Sequence, residues 1–133
     1  MTGRLVSDLQ DMLAGMDPLL SAEPYCFVLS SDQSLAQNAF ATIREDEGAT
    51  CVLLQTLARD VDAVSGSFAR ITLQVHSDLE GVGLTAAIAT TLSELGIACN
   101  VIAGLRHDHL FVPWGRRDAA IAALEKLAED ARR

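Results

Sequence analysis

Apolar and polar positions alternate most cleanly in "FARITLQVH", where Ile71, Leu73 and Val75 fall on one side and Arg70, Thr72 and Gln74 on the other. That period of two predicts a strand with one buried face. The period then changes. Leu84, Ile88, Leu92 and Leu95 step by four, four and three, which predicts an amphipathic helix over about 79–95. Ser77 or Asp78 is placed to cap its start, and Gly96 stands where a left-handed residue closes a helix. "IACNVIA" and "HDHLFVPW" read as two strands of a hairpin around "GLR", ended by Pro113. A last helix over about 116–130 carries Ala120, Leu124, Leu127 and Ala131 on one stripe.

The first half is less regular. Leu5, Leu9, Met12 and Leu13 predict a short helix stopped by Gly15 and Pro18. "YCFVLS" (25–30) reads as a strand and "SDQSLAQ" as a polar connection. "AFATIREDEGATCVLLQ" reads as a hairpin turning at "EDEG", with Gly48 free to take a positive φ. "TLARDVDAVSG" reads as a short helix capped by Thr56, with Leu57, Val61 and Val64 on one side and Gly66 at its end. The second half is therefore β-α-β-β-α. One strand borrowed from the first half completes the β-α-β-β-α-β order of a ferredoxin-like α+β sheet, with helices on one face.

Composition narrows the function. Half of the 133 residues are apolar, enough for a real core. Eighteen acidic against ten basic residues leave a formal charge of −8, which argues against general nucleic-acid binding. Cys26, Cys51 and Cys99 form no CxxC and lie in apolar runs, so they read as reduced core thiols suited to the cytoplasm. No run has signal-peptide or transmembrane character.

The chemistry-bearing candidates are few. "SDLEGVG" opens a helix, whose first amides carry partial positive charge. Gly81 and Gly83 permit close approach to that backbone, so a carboxylate fits there, with Asp78 or Glu80 for an ammonium group. A cap with packing glycines explains the same residues. Asn100, in an apolar strand, needs hydrogen-bond partners, which a ligand or a turn could supply. His107 and His109 share a strand face while Asp108 points away. With His76 they could make a three-histidine zinc site on paper, but nothing in the spacing demands it. No nucleophile stands in a recognisable catalytic context, and neither phosphate-binding glycine motif is complete. Trp114 reads as the rim of the core. Arg116 and Arg117 at a helix start oppose its dipole and call for a partner.

Together, "HSDLEGVG", "GIACNVIAG" and "HDHLFVP", in that order, resemble the ACT-domain superfamily. "MDPLL", "YCFVLS" and "IREDEGATCVL" extend the likeness to small stand-alone bacterial proteins made of two ACT-like halves. The resemblance implies a βαββαβ fold duplicated as a degenerate half over 1–66 and an ACT domain over 67–133. It implies a non-enzymatic sensing or regulatory module without cofactor or metal. The possible ligand is an amino acid or similar zwitterion, bound by Ser77, Asp78, Glu80, Gly81, Val82 and Gly83 of the loop and by Cys99, Asn100 and Val101 of the facing strand. It also implies side-by-side pairing as a homodimer, and a separate protein partner, since the two halves use the whole chain. The alternative is a ligand-free interaction module. On the ligand reading, Gly83→Leu leaves folding largely intact and abolishes binding.

Overall fold

The computed structural model describes residues 4–58 and 63–133. In chain order it forms α1 (Leu9–Ala14), β1 (Pro18–Leu20), β2 (Tyr25–Ser30), α2 (Gln33–Gln37), β3 (Ala41–Glu45) and β4 (Gly48–Leu54). There follow β5 (Ala63–Val64), β6 (Phe68–Leu73), α3 (Leu84–Glu94), β7 (Asn100–Ala103), β8 (Asp108–Pro113) and α4 (Arg117–Ala131). These elements divide into two units: residues 22–68, and residues 69–133 together with the segment up to Ser21.

In the second of these units the strand order is β1-β6-β8-β7. The borrowed strand is β1. It runs antiparallel to β6, with Pro18 opposite Leu73 and Leu20 opposite Ile71, and the Ser21 amide continues the ladder to the Arg70 carbonyl at 2.9 Å. This completes the ferredoxin-like order. Alternation in β6 turns Ala69, Ile71 and Leu73 inward, fully buried. They meet Leu110 and Val112 of β8, Leu84, Ile88 and Leu92 of α3, and Ala120, Leu124 and Ala128 of α4 in one core. Met12 and Met16 complete it from the first 21 residues.

Helix α3 starts at Leu84, five residues later than its apolar spacing suggests, and its N-cap is Gly83 at φ 105°. Its end is as expected. Gly96 has φ 70°, its amide reaches the Ser93 carbonyl at 2.9 Å, and the Ile97 amide reaches Leu92 at 2.9 Å. This double closure stops the helix and turns Ile97 into the core, leaving Leu95 exposed. On α4 the buried stripe is Ala120, Leu124 and Ala128, a strict four-residue step, with Leu127 half-buried beside it.

Residues 22–68 repeat the order in reduced form. β4 lies between β3 and β2, and β5 pairs with β2 through Val28 and Val64. Cys26, Val28, Cys51 and Leu53 form its core, with Leu35 and Ala36 of α2 packed against them. The hairpin turns at Asp46 and Glu47, and Gly48 takes φ 146°. Two expectations change here. "SDQSLAQ" holds the one-turn helix α2, capped by the Asp32 carboxylate, which accepts the Ser34 amide at 2.9 Å. The expected helix over 56–66 begins as a single 3-10 turn at Gln55–Leu57, and Val64 lies in a strand; residues 59–62, including Val61, lie outside the described residues.

Candidate functional site

The loop between β6 and α3 is built against the start of the chain. Val6 makes a parallel bridge to Ser77: its amide donates to the His76 carbonyl and its carbonyl accepts from the Asp78 amide, both at 2.9 Å. Asp78 does not cap α3. Its carboxylate accepts the Glu80 amide at 2.9 Å and the Ser7 hydroxyl at 2.8 Å. Those two bonds, the backbone one first, hold its carboxyl below the ordinary carboxylate value. Ser77 is buried and donates its hydroxyl to Asp108 at 3.2 Å. Glu80 and Val82 are exposed.

The two glycines face the chain itself. A Cβ on Gly81 would sit 3.1 Å from the Met12 sulfur, and one on Gly83 would sit 3.0 Å from Leu9 Cδ2. Their lack of side chain lets α1 cross the loop closely. The first turn of α3 carries no side-chain cap. So Ser77, Asp78, Glu80, Gly81, Val82 and Gly83 form one loop against α1.

The strand candidates lie elsewhere. Asn100 is exposed and opposite Phe111, whereas the end of β7 near the loop is Ala103, opposite Asp108. At about 3.3 Å per residue, Asn100 is roughly 10 Å along the strand from that end. Val101 and Cys99 face the helices, and burial pushes the Cys99 thiol up.

His109 ties the hairpin to β6, and His107 lies beside the start of the loop. His109 Nδ1 and the Thr72 hydroxyl share a hydrogen bond of 2.9 Å, and His107 Nδ1 lies 3.4 Å from the Val75 carbonyl oxygen. Among the described residues no group of three or more His, Cys, Asp or Glu is placed to hold a metal. Burial, then the charges of Arg70 and His107, lowers the His109 pKa, with Asp108 opposing weakly. Between that lowered value and 6.5 the unfolded chain binds more protons than the folded one. Stability contributed by neutral His109 is therefore present above pH 6.5 and lost as pH falls below it. Urea midpoints should fall from pH 7.5 to pH 5 by less in His109→Gln than in wild type; equal falls would remove His109 as the cause.

The two arginines at the start of α4 find local partners. Arg116 donates to the Leu95 carbonyl, just past the end of α3, at 3.0 Å, where positive charge is favoured. Arg117 lies 3.9 Å over the Trp114 ring and donates to its carbonyl at 2.7 Å. Trp114 packs at the rim of the core.

Sequence reasoning passed over one cleft. The loop from β2 to α2 occupies the same strand-to-helix position in the first unit. With the β3–β4 turn it lines a cleft of about 340 Å³, including Ser31, Asp32, Arg44 and Glu47. The signal was Asp32 two residues before Ser34, a helix-start pattern hidden by the brevity of α2. Among the described residues no helix is long and apolar enough to cross a membrane.

Comparison with known proteins agrees with this duplicated order. Family models described as ACT domain match residues 6–69 and 69–126. No curated protein matches the sequence. A Vibrio cholerae protein of unknown function, described as a possible transport protein, is 43% identical with a TM-score of 0.79, over 90% of this chain and 95% of that one. An Agrobacterium tumefaciens protein is 20% identical with a TM-score of 0.66, over 80% and 84%. The ligand-free regulatory subunit of aspartate kinase from Thermus thermophilus is 10% identical with a TM-score of 0.62, over 83% and 95%. The last two likenesses are of fold.

Proposed function

The chain belongs to the ACT-domain family, two such domains in tandem accounting for nearly all of it, and we propose that this non-enzymatic regulatory module responds to a small zwitterion such as a free amino acid. The observation that carries the reading is the start of α3, where a glycine N-cap leaves the first-turn amides without a side-chain acceptor. A carboxylate is the natural acceptor for such amides. Exposed Glu80 is the free acid for the ammonium group, since Asp78 already accepts from Ser7 and Glu80. Exposed Val82 flanks the approach. Of the strand candidates, Asn100 is exposed on β7 about 10 Å along the strand from this loop, and Cys99 and Val101 pack into the core, so the loop carries the reading. Three free thiols suit the reducing cytoplasm.

A second reading has its own support. Leu9 and Met12 already lie against Gly83 and Gly81. The glycines then serve packing, and the module acts through a protein partner alone.

A thermal-shift screen of the tag-free chain against the twenty amino acids separates the two. A ligand at a hundred times its Kd stabilises by about 2.7 kcal/mol. One or two chemically related amino acids should raise Tm by several degrees, and Glu80→Gln should remove the response. A flat screen at millimolar concentration rejects the zwitterion reading.

A further inference from the structure

Large apolar side chains gather, exposed, at the loop end of the unit that contains α3. Val82 is 81% exposed, Leu105 75% and Leu79 61%, with Leu5 and Leu9 also exposed. The folded contacts place them together. Val6, next to Leu5, is bridged to Ser77; Leu9 lies against Gly83; and the turn holding Leu105 is tied to the loop by Ser77 with Asp108. Beside them the chain start lines a cleft of about 460 Å³ that includes Leu5, Asp8 and Asp11. Clustered exposed apolar groups mark interaction surfaces.

The charges around the cluster say what covers it. Asp8, Asp11, Asp78 and Glu80 outnumber Arg4 and Arg106, in a chain whose formal charge is −8. A second copy would bring the same carboxylates against these, and an anionic lipid surface would be repelled. We propose that this loop end docks a partner protein segment that is apolar and basic, with leucine-like side chains interleaved with lysine or arginine. Leu79, Val82 and Leu105 supply the apolar contact, and the carboxylates steer and orient the segment. The inference does not depend on zwitterion binding.

The probe is a fluorescent amphipathic peptide of leucine and lysine, compared with its leucine–glutamate counterpart, by anisotropy at about 0.15 M salt. The full-length protein should bind the lysine peptide and not the glutamate one. Its amides over 79–82 and at 105 should exchange more slowly in the complex. Val82→Asn with Leu105→Asn, uncharged changes at exposed positions, should keep the wild-type Tm and weaken binding about tenfold or more. Asp8→Asn with Glu80→Gln should flatten the salt dependence. Equal affinity of the doubly substituted protein, or equal affinity for both peptides, overturns the proposal. So does a wild-type dimer in sedimentation that Val82→Asn dissociates, or binding to anionic vesicles with none to the peptide.

Discussion

Gly83→Leu should lower stability by about 2–6 kcal/mol instead of emptying a binding loop while sparing the fold. Two costs add. At φ 105° and ψ −18° the residue is left-handed, a region that a leucine occupies at a cost of about 1–3 kcal/mol. The new Cβ would also meet Leu9 Cδ2 at 3.0 Å and Cδ1 at 3.3 Å, and overpacking of this kind costs about 1–3 kcal/mol. For a chain of this size that amounts to a Tm lower by roughly 7–20 °C, followed through Trp114 fluorescence. Leu9→Ala in the same background should recover only the steric part, so the double variant should lie between Gly83→Leu and wild type. Gly66→Ala is the control, because a Cβ there meets nothing within 4 Å. A Gly83→Leu Tm within two degrees of wild type, an interval well below that shift, would show that the loop relaxes freely and return Gly83 to the ligand alone.

The sequence reading of this loop went astray for a physical reason. Leu79 and Val82 fit the apolar rhythm of α3, and Ser77-Asp78 resembles a cap, so the helix extended five residues too far back. The true partners of that loop, Val6, Ser7, Leu9 and Met12, are some seventy residues away in sequence. Local patterns carry no information about such contacts. Where burial is set by local period, the pattern was sufficient: β6 alternates as written, Leu84, Ile88 and Leu92 are buried, and Gly96 is left-handed. Very short elements stayed illegible, because α2 and β1 have too few residues to show a period. The histidines were readable only as a shared face. That Thr72 and Val75 receive them follows from strand order, which no spacing encodes.

The chain start matters most in the last expectation: residues 69–133 alone should not fold. They carry all of β6 but Phe68, with α3, β7, β8 and α4, most of a ferredoxin-like order, yet they lack β1, and β6 would lose the partner opposite Ile71, Thr72 and Leu73. They also lose Met12 and Met16, 1% and 0% exposed, and half-buried Val6, Leu13 and Leu20. Each fully buried side chain of that size contributes about 1.5–3 kcal/mol, so the two methionines alone represent roughly 3–6 kcal/mol. A whole domain is stable by only about 5–15 kcal/mol. The fragment should therefore show poorly dispersed amide resonances and no cooperative melt, while the full chain melts cooperatively. Adding a peptide of residues 1–21 should restore dispersion for β6 and β8, and the same peptide with Met16→Asp should not. A cooperative melt of the fragment without peptide would mean that the β6-β8-β7 sheet and its two helices suffice. The first 21 residues would then be a covering over the α3 loop instead of part of the core.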